Sequence, residues 1–166
     1  MRVVVPYTAL HPFTLRALKA YAPEAEVIDL GNQGDAYYEL LCELWSEGEG
    51  FLIVEQDIEI HASVVPQLEE CLEDWCIFGY PGPLGAGIWP PPDQRLLTRS
   101  LGCTRFSASL IKAEPDLMEN LPLHYWGHLD FTIDRALSPR WAPHVHQPHV
   151  NHHHLRQGRC DCGEAH

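Results

Sequence analysis

Three carboxylates, Glu55, Asp57 and Glu59, alternate along "FLIVEQDIEI" directly after the apolar run Phe51 to Val54. A continuous apolar run marks a strand covered on both faces. In an extended chain, side chains two apart point the same way. The three acids therefore crowd onto one face at the mouth of a buried strand. Like charges at that range repel, and they raise one another's proton affinity unless something positive lies among them. No basic run lies nearby in the sequence, so a divalent cation is the simplest counter-charge. Asp57 and Glu59, with a third ligand from elsewhere, suit a hard or borderline ion, Mn²⁺ or Mg²⁺. The alternative is a solvated acidic turn leaving the sheet.

Other residues carry chemistry further along the chain. His144, His146, His149, His152, His153 and His154 fall within eleven positions, and neutral imidazole is a common metal ligand. His149, His152 and His154 are the rival late ligands. Asp130 stands inside the apolar stripe of Trp126, Leu129, Ile133 and Leu137, so it faces protein rather than water. A carboxylate there is costly unless partnered. With a raised pKa it is what a general base for a hydroxyl requires; a structural hydrogen-bond acceptor is the other reading. Arg105 is suited either to holding a phosphate in bidentate fashion or to pairing with a surface acid. Cys160 and Cys162, beside histidines, offer a weaker zinc pattern, because C-x-C lacks the usual spacing.

The elements that position these groups alternate in the first half. "RVVVPY" reads as a strand and "HPFTLRALKAYA" as a helix with Pro12 in its first turn. "AEVIDLG" is a second strand, and a helix capped by Asp35 carries the stripe Tyr38, Leu41, Cys42 and Trp45. "FLIVEQ", a helix after Ser63 and the strand "WCIFGY" follow. That order implies a parallel sheet with helices on both faces, whose ligands bind outside the carboxyl ends of the strands. The acid cluster sits at such an end. In the second half, Pro81 to Gln94 reads as a loop that could serve as a lid, "CTRFSASLIKA" as a strand, and "YWGHLDFTIDRAL" as a helix. The ending is strand or coil followed by a polar tail over 156–166.

At 166 residues the chain is expected to form one domain over 1–155. It is large enough to bury roughly 68–70% of its unfolded surface. A net charge of −12 disfavours unaided binding to nucleic acid or an anionic membrane, and with two lysines a lysine-based phosphate site is not expected. The six cysteines are scattered, which argues against a disulfide framework. No apolar run approaches the roughly 20 residues of a spanning helix, and no signal-peptide pattern opens the chain; a cytoplasmic protein is expected. P-loop, dinucleotide-fingerprint and serine-elbow motifs are absent from the sequence.

Taken together, "VVVPYT", the alternating first half and "LIVEQDIEI" resemble the GT-A glycosyltransferases, with Glu59 in place of the second Asp of their D-x-D motif. "LGCTRFSASL", "WGHLDFTIDRAL" and "PHVNHHH" stand in the order expected of a compact GT-A enzyme, a kind known among actinobacterial and phage proteins. The resemblance covers most of residues 2–154. It implies a minimal Rossmann-type sandwich and a nucleoside-diphosphate sugar donor, UDP-sugar in particular. Pro6, Tyr7, Thr8, Asp29, Gln56, Asp57 and Arg105 would meet the nucleotide. Asp57, Glu59 and His152 would hold the metal, and Asp130 would be the base. The acceptor it leaves open: a small molecule, a glycan or a modified DNA base.

Two other functions compete with metal-dependent glycosyl transfer. Asp57 after an apolar strand could be the nucleophile of a HAD-like phosphotransferase or phosphatase, with Lys112 as its lysine. The histidine-rich segment could instead be a non-catalytic metal-binding module.

Overall fold

The computed structural model describes residues 1–80, 101–153, 155–156 and 159–160. β1 (Arg2–Tyr7) leads into α1 (Pro12–Tyr21), followed by β2 (Glu26–Asp29), α2 (Ala36–Ser46) and β3 (Phe51–Val54). Next come β4 (Ile58–Glu59), α3 (Val64–Glu70) and β5 (Trp75–Phe78). Beyond residue 100 lie β6 (Cys103–Phe106), α4 (Ala108–Ala113), a 3₁₀ turn (Met118–Asn120) and α5 (Trp126–Leu137). β7 (His144–His146) and β8 (Asn151–His152) follow, and a short antiparallel pair, β9 (Leu155–Arg156) and β10 (Arg159–Cys160), comes last. The lid expected over Pro81 to Gln94 falls outside the described residues.

Six strands form one sheet in the order β2-β1-β3-β6-β5-β7. β1 is parallel to β2 and β3, and β5 to β7, while β6 runs antiparallel to both of its neighbours. This is the expected α/β class, a mostly parallel central sheet with helices on both faces. The apolar run Phe51–Val54 lies fully buried in the middle, and its alternation feeds two cores. Phe51 and Ile53 pack with α2, α4 and α5 through Leu41, Leu44, Trp45, Leu110, Leu129 and Ile133. Leu52 and Val54 pack on the opposite face with Ala17 and Leu18 of α1 and Val64 and Leu68 of α3. Around Phe106, the rings of Trp45, Phe51 and Trp75 lie with centroids 5.3, 5.6 and 6.3 Å away. Each such ring contributes about 1.5–3 kcal/mol by leaving water.

Local signals explain the helix starts. His11 Nδ1 accepts from the Phe13 amide at 3.2 Å, and Pro12 occupies the first turn, where its missing N–H is not needed. "CTRFSASLIKA" is not one strand, as the sequence reading has it. It is β6 followed by α4, because Ser107 Oγ accepts from Leu110 N at 3.0 Å and caps a new helix. Asp35 precedes α2 without making a side-chain cap bond. No helix among the described residues is long and apolar enough to cross a membrane.

Candidate functional site

The carboxyl ends of β1 and β3 are tied together by Gln56. Its Oε1 accepts from the amides of Thr8 at 2.8 Å and Ala9 at 2.9 Å, and its carbonyl accepts from His11 N at 2.9 Å. A turn closed by Ile58 N donating to Glu55 O at 3.1 Å then reverses the chain into β4. β4 pairs antiparallel with β8, setting Ile58 opposite His152 and Glu59 opposite Asn151. The late histidines are thereby brought to the acid cluster across most of the chain.

Each acid in the cluster is compensated differently. His152 Nε2 lies 3.1 Å from Asp57 Oδ2, and the His153 amide donates to the Asp57 carbonyl at 2.8 Å. Glu59 Oε2 lies 2.9 Å from His153 Nε2 and accepts from Asn151 Nδ2 at 3.1 Å. Partial burial works against the charge of Glu59, but the bonds from His153 and Asn151 prevail and hold its carboxyl below the ordinary range. Glu55 points the other way, toward α2, where the Tyr37 hydroxyl donates to Oε1 at 3.1 Å. Burial first, then the charge of Asp57 with a lesser push from Asp130, raises Glu55 to about 8. Burial thus favours the neutral form of Glu55, and histidines face the other two acids.

Packing holds these groups in place. The His11 ring, 2% exposed, stacks on His153 at 4.6 Å and nearly parallel. Burial first, then the neighbouring His153, keeps His11 below its usual pKa. Tyr80 packs against the His152 ring at 4.5 Å. Gly102, whose carbonyl accepts from Glu55 N at 2.8 Å, leaves room for Tyr80: a Cβ there would meet the phenol ring at 2.5 Å.

Asp57 and His152 are the pair suited to a shared ion. Two donors bound at about 2.1 Å and at right angles lie roughly 3 Å apart, close to the observed separation. Glu59 is turned to His153 and Asn151, so at this point Asp57 is the carboxylate that faces His152. Asp130 is half-buried on α5, with Oδ1 accepting from the Phe131 amide at 2.8 Å. Burial chiefly raises its pKa, and its charge reaches both Glu55 and Tyr37. Pro6 and Tyr7 end β1 and Asp29 ends β2, beside Tyr7 in the register. Asp29 Oδ1 accepts from Gly31 N at 2.9 Å in a local turn, and Thr8 is exposed.

Arg105 is not brought to this end of the sheet. It pairs opposite Leu52, early in β3, and its guanidinium donates to Glu73 O at 2.8 Å and to Cys76 Sγ at 3.4 Å. The strand register aims it away from Asp57. Lys112 lies near Gly48, before β3, at the opposite end of that strand from Asp57.

The sequence reading overlooks His11 and the separate role of Glu55, and it names His153 in the histidine run without setting it among the rival ligands. His11 was discernible as a histidine just beyond the first strand, at the same end of the sheet as Asp57. His153 is placed by the β4–β8 register, which carries its amide to the Asp57 carbonyl and its ring to Glu59. Nothing local distinguishes Glu55, whose environment is made by α2 and α5.

No protein-family model matches the chain, and no curated protein matches it. Among solved structures it is similar to A197 from STIV, with 12% identity over 96% of this chain and 88% of that one, at a TM-score of 0.51. A glycosyltransferase involved in the glycosylation of the major capsid of PBCV-1 matches at 13% identity over 89% of this chain and 82% of that one, TM-score 0.49. At these identities the likeness is one of fold, and the class it defines is the mixed α/β sandwich described above.

Proposed function

We propose that the protein is a metal-dependent glycosyltransferase that moves a sugar from a nucleoside-diphosphate sugar, UDP-sugar in particular, to an acceptor hydroxyl. The observation that carries this reading is the 3.1 Å contact between Asp57 and His152, residues 95 apart in sequence, at the carboxyl end of a central parallel strand. Ligands of open α/β sheets bind at such ends. Asp57 and His152 would hold Mn²⁺ or Mg²⁺. When bound, the ion would supply neutralising charge for the diphosphate leaving group. Glu59 then keeps His153 and Asn151 in register beneath the site. Gln56 fixes the Thr8–Ala9 backbone, which with Pro6, Tyr7 and Asp29 would border the nucleotide. Asp130, half-buried and with a raised pKa, would accept the proton of the acceptor hydroxyl.

The phosphotransferase alternative needs a lysine beside Asp57, and the position of Lys112 near Gly48 disfavours it. The net charge of −12 favours a small molecule or glycan over a nucleic acid as acceptor. The buried and half-buried free thiols fit a reducing, cytoplasmic setting. The test is release of nucleoside diphosphate from a panel of nucleotide sugars, with and without Mn²⁺. Metal-dependent release from one donor, lost in Asp57→Asn, is expected. No release and no nucleotide binding from the whole panel would overturn the reading.

A further inference from the structure

A second cluster lies under α3, on the sheet face opposite α2 and α5. Cys71 closes α3, Cys76 belongs to β5, and His146 belongs to β7, the strand paired with β5. The two Sγ atoms are 3.2 Å apart, and together with a ring nitrogen of His146 the three donor atoms lie within 4.8 Å of one another.

The imidazole is held as a ligand would be. His146 is 8% exposed, and its Nδ1 lies 3.2 Å from Gln67 Oε1. The Gln67 amide nitrogen already donates to Ser63 Oγ at 2.9 Å and to the Gln147 carbonyl at 3.0 Å, so Oε1 is the accepting end. Nδ1 therefore carries the proton and Nε2 the lone pair. That Nε2 is buried and finds no hydrogen-bond partner among the described residues. Leaving a buried acceptor unsatisfied is costly. An imidazole whose other nitrogen donates to a fixed oxygen is the arrangement metal-bound histidines adopt.

We infer that Cys71, Cys76 and His146 form a zinc site, with two thiolates and the His146 imidazole as ligands. The C-x₄-C spacing lies within the range of tetrahedral zinc sites. The fourth position is left to water or to His144, whose ring stands edge-on 4.6 Å from His146. Arg105 donates to Cys76 Sγ at 3.4 Å, a contact that favours the thiolate. Coordination displaces the proton of each thiol. Sulfur and imidazole donors select zinc over the harder ions suited to Asp57, so the two sites sort metals by donor type. Bound zinc joins the end of α3 to β5 and β7 and anchors the root of the segment that carries His152.

The test is cobalt titration of the reduced, chelator-treated chain in a Cys160→Ser/Cys162→Ser background, which removes the thiols of the tail. The expected result is a sulfur-to-cobalt charge-transfer band that saturates at a single equivalent, is displaced by Zn²⁺ and is absent in Cys76→Ser. Gln67→Ala keeps every ligand and should weaken cobalt affinity about 10–100-fold, with an unchanged far-UV circular dichroism spectrum. This variant decides the matter if Cys76→Ser fails to fold. The site is refuted by a folded chain without the band, by a band that survives Cys71→Ser/Cys76→Ser, or by unaltered affinity in Gln67→Ala. Because the readout is thiolate ligation, it is independent of any activity at Asp57.

Discussion

Replacing Glu55 with glutamine removes a titrating proton from the mouth of β3 while keeping the side chain's shape and its bond from Tyr37. In the folded protein Glu55 holds its proton up to about pH 8, against an ordinary value of 4.5. The cause is burial, followed by the charges of Asp57 and Asp130. Between those two values the folded state binds more protons than the unfolded chain, so stability falls as pH rises. The favourable state is fully present below the unfolded pKa and is lost as pH passes through the folded one. At about 1.4 kcal/mol per pH unit the full span corresponds to at most about 5 kcal/mol. Water penetration and relaxation reduce this to roughly 2–4 kcal/mol, since effective protein dielectrics are higher than those of a dry interior. Urea unfolding followed by tryptophan fluorescence, in chelator, from about pH 5 to about pH 9 reads the effect. Parent and Glu55→Gln should coincide at the acid end and diverge toward the alkaline end, with the variant more stable. His11 and His146, both held below their usual range chiefly by burial, add stability as pH rises. They titrate in both proteins and cancel in the difference. Parallel stability curves across the whole range would refute the assignment of the proton to Glu55.

Three further outcomes follow from the packing and the site. Phe106→Ala empties the meeting point of Trp45, Phe51 and Trp75 and should cost about 3–5 kcal/mol in chemical denaturation. Gln56→Ala leaves the exposed Thr8 and Ala9 amides to water in place of their acceptor; it should cost about 0.5–1.5 kcal/mol and speed hydrogen exchange at those two amides first. On the proposed function, Asp130→Asn should abolish sugar transfer while leaving calorimetric nucleotide affinity within about twofold, because removing the proposed base would affect the reaction rather than the binding.

Much of this architecture was legible because it is written in local pattern. The run Phe51–Val54 marked a strand buried on both faces, and its two pairs of side chains feed separate cores. The strand–helix alternation through Phe78 implied the parallel arrangement, and the β4–β8 pairing sets His152 3.1 Å from Asp57. Other features depend on contacts distant in sequence. Nothing in "WCIFGY" indicates that β6, rather than β5, lies beside β3. Ser107 converted the second part of an expected strand into α4, a short cap signal within an apolar run. Arg105 has the right chemistry for a phosphate, but the antiparallel register of β6 sends it to Glu73 and Cys76. The three acids look equivalent as an alternating set. Their separation into a buried, tyrosine-bonded Glu55, a histidine-paired Asp57 and a histidine-paired Glu59 is imposed by α2, α5 and β8.

The most direct test of the proposed function is calorimetric titration of UDP into the chain with Mn²⁺ and again with chelator. The parent should bind UDP only with the metal, and both Asp57→Asn and His152→Ala should weaken that binding by at least about tenfold, equivalent to 1.4 kcal/mol. Glu55→Gln should bind as the parent does or more tightly. Metal-independent UDP binding, or binding that survives intact in both Asp57→Asn and His152→Ala, would contradict the assignment of the β3–β8 junction as the metal-diphosphate site.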